Sequence, residues 1–504
     1  MTGRRALSFG GAALLALAAA SASAQTPNRA QIAAEVEKQH DATIAALRDW
    51  IALPTIAAEK RNTPAGAEYM KKVALDAGFQ HAEIVPTDGV PGVFATLDAG
   101  AKTTLGIYFM YDVKQYDPAE WTSPPLEGKL VERPGEGLSL VGRGAINQKG
   151  PEMAFLSALK AIRASGRKLP VNLVLVAEGE EEVASTNFAQ VVAAPQVRAA
   201  LAKSVGVFIP SGLQGKDGSA TITLGAKGAV EFQLVVGGET SDKYPKTDIH
   251  SSNHARIESP AWRLVKALDT LVADDGHTPA IDGWFENVKP LTERQKQLMA
   301  EIAARTPEDE MKKQLGVGQW IDGVGYVPSL ERLVSQPTVN IQGLVAGYTG
   351  PGGKTVLPGR AEAKLEFRLV PAMTKDEAVT KLKAHLAKRG FDDVRVTVSG
   401  GYGPNETDED AVLIRAQKAL FARNGIPYTI TPRNAGSWPG VIFNGPPLNL
   451  PASQFGFGRG GGAHAPDEWL LVKSTNPKVA GLDEATMGYV DYLYAIADEA
   501  KKKR

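Results

Sequence analysis

A chain of 504 residues exceeds what one hydrophobic core organises, so two domains are expected. Hydrophobic residues make up 43% and charged residues 22%, as in a soluble globular protein, and 56 basic residues balance 56 acidic ones. The zero net charge gives no electrostatic ground for a nucleic-acid partner or an anionic membrane, and the lack of cysteine excludes a thiol nucleophile and a cysteine metal site.

In chain order, Arg4 and Arg5 precede the apolar run "ALLALAAASASA", and Ala22-Ser23-Ala24 supplies small residues for cleavage before Gln25. Residues 1–24 therefore read as a signal peptide, with a periplasmic or secreted location and no membrane span after cleavage. The arginine pair lacks the polar residue that precedes a twin-arginine signal, so that export route is the weaker reading. "AQIAAEVEKQHDATIAALRDWIAL" and "PAGAEYMKKVALDAGF" carry apolar residues at helical spacing. The short apolar runs "GVFATLD", "TLGIYF", "VNLVLVAE" and "VGVFI" then read as strands, with the helical "GPEMAFLSALKAIRASG" between the second and third. This alternation predicts an α/β, doubly wound sheet whose ligands sit beyond the strands' carboxyl ends, near Met110 to Asp112, Glu178 to Glu182 and Ser211.

From about Thr223 the texture changes. Alternating strands ("GAVEFQLVVGG", "RAEAKLEFRLVP", "VRVTVSG") mix with amphipathic helices ("SPAWRLVKALDTLV", "KDEAVTKLKAHLAKRG"), which predicts an inserted α+β domain over 223–400. Residues 25–222 and 401–504 form the larger domain in this reading. The latter segment brings a helix at "AVLIRAQKALFARNG", the glycine-rich "GFGRGGGAHAPDEW" and a terminal helix.

Glu178, Glu180, Glu181 and Glu182 follow directly on an apolar strand, where charge is costly unless it has a task. "GRGAINQKGP" is a glycine-rich turn without phosphate-loop spacing. Of seven histidines, His40, His81, His277 and His385 read as surface or packing residues, and His254 has no clear reading. His250 in "DIHSS" and His464 in "GGAHAPDEW" occupy small-residue loops that can present an imidazole to a ligand.

Taken in order, "YFMYDVKQYD" with Trp121, "GRGAINQKGP", "EGEEEVAS", "DIHSS", "TVNIQGLVAGYTGPGGKTVLPGRAEAKLEFRLVP" and "AHAPDEW" resemble one family. It is the metallopeptidase family of carnosine dipeptidases, glutamate carboxypeptidases, aminoacylases and succinyl-diaminopimelate desuccinylases. The resemblance implies a zinc-peptidase-like catalytic domain with an inserted lid that dimerises, hence a homodimer. It also implies two zinc ions bridged by a carboxylate and a water. Here Met110 stands at the first histidine ligand, Asn147 at the bridging aspartate, and Ser211 at an acidic ligand of the same metal. A thioether and a carboxamide are poor substitutes, so an intact dinuclear zinc centre is not expected. Glu182 and His464, with Asn147, would hold one zinc at most, or none.

The resemblance further implies Glu181 as general base, Asp112 as the acid that orients a metal ligand, and His250 as the lid group that stabilises the oxyanion. Arg368 and Asn340 match positions that hold the substrate's carboxylate or polar end, while Lys227 stands where the family shows arginine. The expected function is hydrolysis of an amide bond in a small peptide or N-acyl amino acid. Two alternatives stay open: a metal-independent enzyme using Glu181, Glu182 and His464 for other acid–base chemistry, and a non-catalytic binding homologue.

Overall fold

The computed structural model describes residues 28–212 and 214–502, so the segment read as a signal peptide lies outside the described residues. A six-stranded sheet carries the larger part, in the order His81–Val85, Gly92–Leu97, Asn172–Glu178, Thr104–Met110, Ser204–Pro210, Ala452–Phe455. The last four run parallel, and Gly92–Leu97 joins them antiparallel. Their near-continuous apolar sequence follows from burial on both faces.

Helices cover each face. On one side Gly150–Ala164 and Leu482–Glu499 pack Phe155 and Tyr489 edge-on against each other, with Phe208 of the sheet beside them. Helix Gly150–Ala164 begins with Pro151 in its first turn, where the missing N–H costs nothing, and buries twelve of its residues. On the other side Phe188 and Phe443 close over Tyr108. Truncating such a core ring costs about 3–5 kcal/mol.

The inserted part has its own four-stranded antiparallel sheet, ordered Thr338–Ala346, Arg360–Leu369, Gly228–Gly237, Arg395–Tyr402. Helices Pro260–Asp269 and Lys375–Lys388 bury one face over a second apolar cluster that includes Leu234, Leu365, Phe367 and Leu382. Period-two alternation then turns Glu366 and Arg368 to the opposite face. Not all of 223–400 joins this cluster. Helices Glu293–Arg305 and Tyr326–Ser335 insert Leu298, Met299 and Val334 into the larger core instead. Strand Arg395–Tyr402 comes down on the 183–186 loop at Gly400, where a Cβ would stand 2.9 Å from the Val183 carbonyl oxygen, so only glycine fits without displacement. Among the described residues, no helix is long and apolar enough to cross a membrane.

Candidate active site

Thr104–Met110 and Asn172–Glu178 run parallel with Met110 opposite Glu178, so the chain leaves both strands side by side at Asp112 and at Glu181–Glu182. Asp112, wholly buried, accepts hydrogen bonds from the backbone N–H of Glu181 (3.2 Å) and of Glu182 (3.0 Å). Burial, followed by the charge of Glu182, pushes the Asp112 carboxyl up to about 8 against the downward pull of those N–H groups. Glu181 is held well above the ordinary carboxylate range by burial and then by Glu182, Asp112 and Glu178, while Lys114 acts in the opposite sense.

The Glu182 carboxylate is the meeting point. Asn147 Nδ2 donates to its Oε1 at 2.7 Å, and His464 Nε2 lies 3.1 Å from its Oε2. Asn147 Nδ2 and His464 Nε2 are themselves 3.0 Å apart, which closes a triangle of three side chains. Lys114 Nζ approaches Oε2 to 3.4 Å and donates to the Glu182 carbonyl oxygen at 2.5 Å. His464 sits at φ 64, in the left-handed region that non-glycine residues adopt at a cost.

Asn147 is placed by a residue that sequence reading missed. Glu468, buried, accepts from Arg143 Nη1 at 2.8 Å and from the backbone N–H groups of Gly144, Ile146 and Asn147 at 2.9–3.0 Å. It thereby fixes the whole turn before helix Gly150–Ala164. The only available signal was its nearness to His464.

Met110 and Ser211 are buried at strand ends, as expected from their positions. The Met110 N–H donates to Glu152 Oε1 at 2.8 Å, and Ser211 Oγ has no hydrogen-bond partner. These side chains do not fit a dinuclear zinc centre. They offer a thioether, a hydroxyl and a carboxamide whose NH2 faces the two remaining donors, and an ammonium already lies against Glu182. A tetrahedral zinc site needs four N, O or S ligands, and among the described residues no group of three or more His, Cys, Asp or Glu side chains is placed to hold a metal ion.

From the inserted sheet, Arg368 Nη1 donates to Ser437 Oγ at 2.8 Å and its Nε pairs with Glu366. Tyr402 donates to the same Ser437 oxygen at 3.5 Å, and the charges of both Glu181 and Arg368 are felt at its phenol. Arg368, Ser437 and Tyr402 thus form one cluster within electrostatic reach of Glu181, the last two unforeseen from sequence. Lys227, buried, donates to the Gln336 carbonyl oxygen at 2.6 Å, and burial followed by Arg433 and Arg368 lowers its ammonium to about 8. Asn340 pairs across the sheet with Glu366 and shares its face, but on an exposed edge strand. His250 is exposed on the inserted part, with Nδ1 held by Ser252 Oγ at 2.8 Å, and no described hydrogen bond joins it to the carboxylates.

Residues 111–486 match the profile of peptidase family M20/M25/M40. The human Beta-Ala-His dipeptidase is 26% identical over 370 residues, 70% of each chain. The Saccharomyces cerevisiae Cys-Gly metallodipeptidase DUG1 is 26% identical over 428 residues, 79% of this chain and 82% of the relative. Among solved structures, an M20 family metallo-carboxypeptidase from Sulfolobus solfataricus superposes with a TM-score of 0.79 at 30% identity, covering 90% of this chain and 99% of that one. Human carnosine dipeptidase 1 gives 0.75 at 23% identity over 93% and 100%, a likeness of fold.

Proposed function

Because the chain belongs to peptidase family M20/M25/M40, we propose that it hydrolyses an amide bond in a small peptide or N-acyl amino acid after export. The observation that carries this reading is the Asp112 carboxylate fixing the backbone of Glu181 and Glu182 at the mouth of the parallel strands. Glu181, with its raised proton affinity, suits the role of general base. It takes a proton from the attacking water as the C–O bond forms, then returns it to the departing amine as the C–N bond breaks. Glu182, His464 and Asn147 would hold one zinc at most, and no step is assigned to it. Arg368, with Ser437, receives the substrate's carboxylate through its planar fork, and Asn340 lies on the same sheet face.

The part of 223–400 built on the four-stranded sheet acts as lid and dimerisation unit, while helices Glu293–Arg305 and Tyr326–Ser335 belong with the larger, catalytic part. A homodimer suits the edge strand Thr338–Ala346, where Ile341, Leu344 and Val345 are exposed, and in this reading the oxyanion donor is His250 of a second copy. Hydrolysis of a panel of dipeptides and N-acyl amino acids, followed by mass spectrometry, tests the reading. Turnover abolished by Glu181→Gln with unchanged melting is expected. Turnover that survives Glu181→Gln and Glu182→Gln together refutes it.

The family likeness leaves a second reading open, in which the pocket binds a peptide or amino-acid-like ligand without turnover. The contact of His464 with Glu182 supports a third, in which Glu181, Glu182 and His464 carry other acid–base chemistry. Binding of panel members without turnover supports the second, and conversion to products other than the hydrolysed pair supports the third.

A further inference from the structure

Glu182 is surrounded by hydrogen donors. The amide of Asn147 takes Oε1, the imidazole of His464 and the ammonium of Lys114 share Oε2, and Lys114 also holds the Glu182 carbonyl oxygen. A carboxylate so engaged presents little to an incoming cation. An exposed lysine–glutamate pair contributes almost nothing to a protein. This pair is different: the Glu182 side chain is 4% exposed and that of Lys114 34%, so the ammonium lies where cleft meets core. Three further carboxyls, Asp112, Glu178 and Glu181, lie at the same strand ends, and Lys114 sets its ammonium directly against Glu182.

We propose that the Lys114 ammonium occupies the electrostatic place of a bound metal cation, offsetting the negative charge at Glu182 and fixing its orientation, so that the site operates without metal. Lys114 is in this sense a positioning residue. Asn147 complements it: its NH2 donates to Glu182 Oε1 at a position where a bridging anion would have required two cations. The catalytic part of this inference rests on the hydrolase reading, but the charge replacement does not.

The test titrates zinc chloride into chelator-dialysed wild type, Lys114→Arg and Lys114→Gln by calorimetry, alongside turnover of the peptide panel in chelator. Circular dichroism confirms that each variant is folded. Wild type and Lys114→Arg are expected to show no stoichiometric zinc uptake, and Lys114→Gln to bind zinc at least tenfold more tightly than wild type. Turnover in chelator should persist in wild type, survive in part in Lys114→Arg and fall at least tenfold in Lys114→Gln. Stoichiometric zinc binding by wild type, with an affinity indifferent to residue 114, overturns the proposal. If no variant hydrolyses any substrate the hydrolase reading fails, and the zinc titration still decides the role of Lys114.

Discussion

Replacing Asp112 by alanine has a cost that depends on pH, and the structure gives both terms. The substitution strips the buried N–H of Glu182 and the partly buried N–H of Glu181 of their acceptor, at about 1–3 kcal/mol for the former and less for the latter. Against this, the folded carboxyl titrates at about 8 and an ordinary aspartate at 3.8, so between those values the native state keeps a proton that the unfolded chain has released. Stability of the wild type therefore falls as pH rises through that window, by about 1.4 kcal/mol per pH unit for this group. Alanine has no such slope. From pH 5 to pH 7 the variant's deficit should shrink by about 3 kcal/mol, or about 6 °C in melting temperature at about 2 °C per kcal/mol for a large domain. Matched differential scanning melts of both proteins at several pH values measure the gap, and titrations of unrelated groups cancel in the difference. A gap constant across pH refutes the reasoning, because it means Asp112 is ionised throughout and its two N–H donors outweigh burial.

Three other outcomes follow from the same geometry. The acid limb of kcat/KM should lie above the ordinary carboxylate range, since Glu181 must lose a proton held by burial and three neighbouring acids, and a limb near that of a free glutamate contradicts the assignment. Arg368→Ala should raise KM about 10- to 100-fold for substrates with a free carboxylate, the effect of losing a charged hydrogen bond of about 1.5–3 kcal/mol, and should leave carboxyl-amidated analogues unaffected. Val345→Arg, at a position 61% exposed on the edge strand, should convert a dimer to monomers in light scattering and lower turnover, whereas a dimer that persists places the interface elsewhere.

The parts of this molecule that were legible in the sequence are those whose signal is local. Strand Thr104–Met110 is a short apolar run, helix Gly150–Ala164 has its proline at the start, and Glu181 and Glu182 stand out because they interrupt burial. Glu468 was invisible because an acid after a glycine-rich loop reads as solvated until the turn at 143–147 folds around it. Lys114 was overlooked for a related reason: a lysine two residues past Asp112 has no partner in sequence, and Glu182 becomes one only when two parallel strands align. Ser437 and Tyr402 likewise owe their meeting with Arg368 to the docking of one sheet on another part of the chain. Helix Glu293–Arg305 carries a capping box at Thr292 and Gln295 but few apolar residues, so periodicity alone gave it no weight.

Asp112 and Glu468 share a property that reaches past this one chain. Each is a buried carboxyl group spent on backbone N–H groups, and together they set where the main chain of Glu181, Glu182 and Asn147 stands. A site framed in this manner is modular: its walls are inherited as main-chain geometry while the groups mounted on them are free to change. The hydrogen bonds of that frame run to the main chain and not to the side chains of Asn147 or Met110, so either side chain can change without removing one of them.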